Sequence, residues 1–457
     1  MHRIIFILTV CWLFIPNFSI ADTHNAVNAT VTAVQSAIDA SESGDTVTVP
    51  PGNETWLTTL NIPSNKKITL QGAGIGVTTI TANTPRSEII DINESGASVT
   101  GFTFIDGHIS INGKNWRIHH NRFYYAGVAS GTVYEAIVII GDTLGFTENV
   151  KGLVDNNQFH NMRVVTSGGP ALMANEVWGR PLGLGTDDAV YVEDNVFTYE
   201  LCTTIQAMDA NYGGSYVFRY NTVQDASVMA HAVQANNRAT RKWEVYGNVF
   251  WASGQAWVPG FMRAGTGVWF DNALVGGTGT GAGKWSLPEI IMDEQRSCEA
   301  SWDTYRCGDC DGGSSWDGND VGESGYPCRD QIGRSTDVIA IAYDSDPGAA
   351  QAQELVPVYA WNNFIYPTDT DRINETNGVV VLLTVKSDIC ALAKAHILSG
   401  RDFVNNGTTP KPGYTPYIYP HPLRNQAQYG NTTIRGIGNG NTAISNIGNG
   451  TTSVSVY

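Results

Sequence analysis

The residues of this sequence best placed to act together chemically are Asp209, His231, Arg238 and Arg263. Asp209, Arg238 and Arg263 each precede a recurring asparagine (Asn221, Asn248 and Asn272) by a similar number of residues, which predicts neighbouring columns in a repeating structure. His231 stands one strand upstream of Arg238. Between His231 and Arg263 the basic residues Arg238, Arg241, Lys242 and Arg263 meet a single acid, Glu244, although the whole chain carries a formal charge of −16. Such an island can hold an anion, because a local cluster outweighs a diffuse charge of the other sign. The chemistry these types support is removal of a proton from the carbon beside a carboxylate. Arg238 and Arg263 would neutralise the carboxylate, His231 or Arg241 would take the proton, and Asp209 would orient His231 or help hold a metal. The competing reading is structural: the arginines pair with acids on adjacent coils and the histidine is buried and satisfied.

The elements that must position these residues announce themselves by repetition. A short phrase, Trp116-Arg-Ile-His-His-Asn-Arg-Phe123 in its first form, returns around Asn157, Asn195, Asn221, Asn248, Asn272 and Asn363. Two residues past each Asn stands an apolar residue (Phe123, Phe159, Phe197, Val223, Phe250, Leu274, Ile365), and three before it another (Ile118, Val154, Val192, Phe218, Val245, Trp269, Ala360). Alternating apolar positions predict a half-buried strand, and the Asn between them predicts a corner with unusual backbone angles. Spacings of 26, 27 and 24 residues from Asn195 to Asn272 suit one coil of a solenoid, with the Asn side chains stacked as an amide ladder. Outward beside the corner lies a column of His119, Asp155, Glu193, Arg219, Tyr246, Phe270 and Trp361. As an open strip, polar and then aromatic, it would suit a sugar chain, with Arg219, Tyr246 and Trp361 as substrate contacts; a solvated strand face reads the same way.

In these repeats the chain resembles the pectate-lyase-like right-handed parallel β-helix superfamily, over most of residues 30 to 365. The fold class expected is therefore all-β: a right-handed parallel β-helix solenoid with an N-terminal capping helix, a Cys/Gly/Asp-rich loop insertion and a short C-terminal helix. Val31, Val34 and Ile38 have helical spacing, and the resemblance implies that this helix caps the open end. The superfamily also implies carbohydrate chemistry, above all β-elimination on uronate glycans, some of its lyases being believed to use an arginine base. Its motifs are only partly present. Asp187-Asp188 precedes no Gly-His-Gly, and Arg117-Ile118-His119 stands in place of Arg-Ile-Lys, which disfavours a polygalacturonase-like hydrolase. The Asp-Pro-His-Asp and Trp-Ile-Asp-His signatures of alginate epimerases and the largest pectate lyase family are absent. The phrases Gly325 to Arg334 and Lys411 to Leu423 resemble segments of bacterial β-helix proteins, most without an assigned activity.

The ends and the insertion complete the organisation. Residues 1–21 have a basic start, an apolar run from Ile4 to Ile15 and small residues at Ser19 and Ala21, which predicts a signal peptide cut after Ala21 and export. Later stretches are too short or too polar for a membrane helix, and the acidic balance disfavours nucleic acid. The remaining cysteines (Cys202, Cys298, Cys307, Cys310, Cys328, Cys390) are even in number, so disulfides are expected, with zinc or redox chemistry at Cys307-Gly-Asp-Cys310 as the alternative. The solenoid is expected over 22–385, interrupted by the insertion 276–337; its acids Asp309, Asp311, Asp317 and Asp320 are candidate Ca2+ ligands or else a solvated loop. A helix from Ser387 to Leu398 and a packing segment follow over 386–428. The tail, 429–457, repeats a decapeptide (Asn431 to Gly440, Asn441 to Gly450) and is either disordered or an extended segment that adds strands to a solenoid edge, its own or, by self-association, a neighbour's. Three functions remain open: a polysaccharide lyase, a non-catalytic glycan-binding or surface protein, and a structural subunit assembling end to end.

Overall fold

The structure is a computed structural model that describes residues 21–93, 96–126, 134–140, 150–168, 178, 181–200, 206–232, 238–293, 330–335, 354–386, 393–425, 442–447 and 451–456. The chain coils through three long sheets of almost wholly parallel pairing, always in the same order. Sheet I has 12 strands from Thr23–Asn25 to Phe403–Asn405, sheet II has 11 from Gly52–Trp56 to Val379–Val380, and sheet III has 10 from Leu60–Ile62 to Leu383–Val385. The protein is a parallel β-helix. Sheet I runs past residue 385 to its last strand, Phe403–Asn405, which pairs with Val358–Trp361.

Alternation sets the packing. In sheet I, Ile118, Val154, Val192, Phe218, Val245 and Trp269 point inward, stacked coil on coil and fully buried. In sheet II, Phe104, Phe123, Phe159 and Phe197 form a continuous ring stack at 5.3, 5.1 and 4.5 Å between centroids. The solenoid's first coils are covered by the helix Val31–Ala40, which buries Val34 and Ile38. Thr30 caps its start, and Lys66 Nζ satisfies carbonyls at its end, those of Ile38, Asp39 and Ser41, at 2.6 to 2.8 Å.

The amide ladder is present on every coil the phrase marks. The Asn Nδ2 groups of residues 121, 157, 195, 221, 248 and 272 each donate to the next Asn Oδ1 at 2.9 to 3.2 Å, and the backbone N–H groups of the same residues donate to the same oxygens. The unusual backbone angle lies one residue earlier than the sequence suggested. His120, Asn156, Asp194, Tyr220, Gly247, Asp271 and Asn362, not the ladder asparagines, have φ between 51° and 67°. The turn is made by that left-handed residue, and the buried amide then ties the corner to the coils on either side.

Candidate functional site

Sheet III carries the candidate site on its outer face. Val164, Met208, Ala210, Val228, Ala230 and Met262 alternate into the core, so Arg163, Asp209, Met229, His231 and Arg263 project outward from four successive strands. His231 and Arg263 each follow the last paired residue of adjoining strands, Ala230 and Met262. His231 Nδ1 lies 2.7 Å from Asp209 Oδ1. The other oxygen of Asp209 accepts from Arg163 Nη1 at 3.1 Å, and Arg163 Nη2 donates to Glu135 at 2.9 Å, which Arg86 approaches at 3.3 Å. A chain of alternating charge thus leads to one imidazole, whose side chain is 16% exposed against 4% for Asp209.

The electrostatics keep Asp209 ionised. Burial opposes its charge, but His231, Arg163 and Arg263 outweigh burial and hold its carboxyl below the usual range. An ionised Asp209 accepts the Nδ1 proton of His231, which makes Nε2 the basic nitrogen of the ring. Arg263 sits beside this pair, its Nη2 3.0 Å from Met229 Sδ and its guanidinium over the Phe261 ring. A fixed carboxylate, an oriented imidazole and a second cation can take a proton from carbon and stabilise the charge left behind.

Two members of the expected set are elsewhere. Arg238 is buried and forked onto Asp330, with Nε 2.9 Å from both oxygens, and lies over the Trp178 ring at 4.5 Å. It neutralises an internal carboxylate and not a substrate's. Arg241 is buried at 1% exposure, its backbone N–H on Gly214, at the turn into sheet I and away from the His231–Asp209 pair. Arg163 and Glu135 were missed because they lie on coils before the basic interval. Their sign was available: Arg163 alternates with Met162 and Val164 in a strand of its own.

The outward column of sheet I stacks in register as the phrase predicts, yet it is no open strip. His119, Asp155, Glu193, Arg219, Tyr246, Phe270 and Trp361 are all at most 5% exposed. The chain's own segment from Lys411 to Arg424 lies across them as a strap. Tyr414 packs on Phe270 and Trp361 and donates to Glu244 at 2.6 Å; Arg219 donates to the carbonyls of Tyr417 and Ile418 and pairs with Glu193 at 2.6 Å. Arg424 reaches Asp155, Glu193 and Asp194, and Arg117 grips Asp155 with two bonds of 2.8 Å. Arg219, Tyr246 and Trp361 are therefore strap contacts and not substrate contacts. An outward column with polar members reads alike whether water or chain covers it.

Among the described residues no group of three His, Cys, Asp or Glu side chains could hold a metal ion, and no helix is long and apolar enough to cross a membrane. Residues 1–20, the six cysteines and Asp309, Asp311, Asp317 and Asp320 lie outside the described residues, so the expectations on signal peptide, disulfides and calcium concern parts not described. Of the expected C-terminal helix, Ala393–His396 is described. In the tail, Thr442–Ile447 pairs antiparallel with Thr451–Val456.

No family model matches the chain, and no curated protein matches it. Among solved structures, a mutant of AlyGC, a PL6 family alginate lyase, is similar at 16% identity over 63% of this chain, with a TM-score of 0.31. The chain spans 46% of that protein's length.

Proposed function

We propose that this protein is a secreted polysaccharide lyase that cleaves a uronate-containing glycan by β-elimination at the outer face of sheet III. The observation that carries the reading is the contact of His231 with Asp209 at 2.7 Å, with Arg163 on the far side of the carboxylate and Arg263 beside the imidazole. In this reading Arg263 supplies the positive charge that acidifies the proton next to the sugar carboxylate. His231 Nε2 takes that proton; the C–H electron pair forms a carbon–carbon double bond, and the glycosidic C–O bond breaks with its electron pair going to the oxygen, which takes a proton from solvent water as His231 later returns its own to solvent. Asp209 and Arg163 position the base and do not touch substrate. Calcium, through the acidic insertion, is an additional proposal that the assay below includes.

Ultraviolet absorbance of unsaturated uronate is the test, with mature protein on pectate, alginate, glucuronan and glycosaminoglycans, with and without calcium. The expected result is product on one of them, lost in His231→Ala and reduced about 10²- to 10⁴-fold in Asp209→Asn, with folding intact by circular dichroism. Absence of product on every substrate would sink the proposal. A second reading is a subunit that self-associates through its tail, where the strands Thr442–Ile447 and Thr451–Val456 pair with each other and leave outer edges that another strand could join. Light scattering on a chain lacking residues 429–457 decides it: an unchanged mass removes the reading.

A further inference from the structure

The three faces of the solenoid present different chemistry. Sheet I lies under the strap, and sheet III carries the charged chain that ends on His231. The outer face of sheet II is neutral over its C-terminal half. One of its outward columns runs Val196, Thr222, Val249, Ala273 and Phe364, all exposed or half-exposed. The neighbouring column adds Gln224 and the half-exposed ring of Trp251. This makes a shallow trough along the axis, floored by small side chains and bordered by an amide and an indole.

The trough ends in a cleft of about 400 Å3 lined by Asp271, Asn362, Phe364, Tyr366, Glu375 and Gly378. Its floor is built by the last coil. Its far wall is the loop after the short helix Asp369–Ile373, where Glu375 holds a left-handed backbone with φ 53°. Gly378 lets that wall close, because a β-carbon there would stand 2.8 Å from the Tyr366 ring. Asp271 and Asn362 are left-handed corner residues, joined by a hydrogen bond of 2.5 Å, so the repeat itself fixes the second wall. The lining therefore combines the half-exposed Phe364 ring and the largely buried Tyr366 with two carboxylates and two amides, Asn362 and the ladder's Asn272; the cation nearest to it, Arg372, acts on Tyr366 and is paired with Asp369.

Ring faces pack on the C–H face of a pyranose, and carboxylate and amide oxygens accept from its hydroxyls. The same carboxylates repel a uronate. We propose that this cleft binds a neutral oligosaccharide, the rest of the glycan lying in the sheet II trough, at a site separate from the charged face of sheet III. The inference does not depend on the lyase reading, since it uses none of the same residues and predicts the opposite charge preference.

Isothermal titration calorimetry on the full mature chain tests it, with cellohexaose, xylohexaose and mannohexaose as neutral probes and hexagalacturonate as the acidic one. The expected result is that a neutral probe binds and hexagalacturonate does not compete with it. Phe364→Ala and Glu375→Gln should each weaken that binding at least tenfold, and His231→Ala should leave it unchanged. Glu375 is an exposed loop residue, so Glu375→Gln decides the matter if Phe364→Ala fails to fold. No binding of any neutral probe at millimolar concentration, equal binding by Glu375→Gln, or competition by hexagalacturonate would overturn the proposal.

Discussion

At the scale of single residues, burial changes what a side chain can do. Asn221 is typical of the ladder: 1% exposed, its amide donates to Val192 O, Arg219 O and Asn248 Oδ1, and its Oδ1 accepts two bonds from Asn195. Asn221→Leu strands buried donors and acceptors on both neighbouring coils, so it should lower stability by about 2 to 4 kcal/mol, read from the urea midpoint. Gly247 shows the steric side of the same corner. It is the glycine among the left-handed corner residues, and a β-carbon on it would meet the Tyr220 ring at 2.6 Å. Gly247→Ala should cost about 1 to 2 kcal/mol for the backbone alone, measurable as a fall in the thermal midpoint. His231 is the counterexample to a purely structural histidine: part-exposed, and aimed by a carboxylate that Arg163 and Arg263 help to keep ionised.

The strap governs the scale of elements. His421 on the strap and His119 beneath it are both buried neutral: burial, then Arg219, lowers His421 to about 4, and burial, then Arg117, lowers His119 to about 3. For each, the unfolded chain binds a proton more readily than the folded one between its lowered value and 6.5, so stability falls as pH drops from 6.5 towards 4. The loss should reach about 2 kcal/mol per histidine near pH 5. Asp155 adds to it at lower pH: burial opposes its charge, but Arg117 and then nearby charges hold it below the usual range, so its contribution disappears as it protonates below about pH 4. Limited proteolysis within residues 411–424 should therefore accelerate from pH 7 to pH 5, and His421→Asn should flatten that rise. Identical rates at both pH values would remove this account. Arg424→Ala removes one of two guanidinium partners from each of the buried carboxylates Asp155 and Glu193, which keep Arg117 and Arg219, and should cost about 1 to 3 kcal/mol in the unfolding midpoint.

At the scale of the whole molecule, a solenoid binds each coil only to its neighbours, so stability tends to be a sum of local terms. The strap adds contacts of another kind, joining the coil of Arg117 to that of Trp361 through one segment. Truncation after Thr408 should broaden a single unfolding transition into a multistep one and raise dye binding to exposed apolar surface, as followed by calorimetry and fluorescence; a sharp, unshifted transition would mean that the strap carries no cooperativity. The strap covers the outer face of sheet I and leaves the outer faces of sheets II and III clear of it.

By itself, the sequence determined the repeat. Seven asparagines with apolar partners at fixed offsets can satisfy burial and hydrogen bonding together only as stacked coils, so the ladder, the inward columns and the capping helix were legible residue by residue. That Asp209 would orient His231 was one of two expectations for it, and the contact at 2.7 Å meets it, although His231 lies 17 residues before Asn248 and Asp209 12 before Asn221, so the repeat alone did not align them. What covers each face was not legible. Arg219, Tyr246 and Trp361 look like binding residues until a segment beginning at Lys411, far along the chain, lies over them, and Arg238 looks free until Asp330 arrives from beyond the insertion. Those contacts join residues with no periodic relation, so the alternation that fixes each strand carries no trace of them. Only the tertiary structure decided which outward columns were covered by distant parts of the chain.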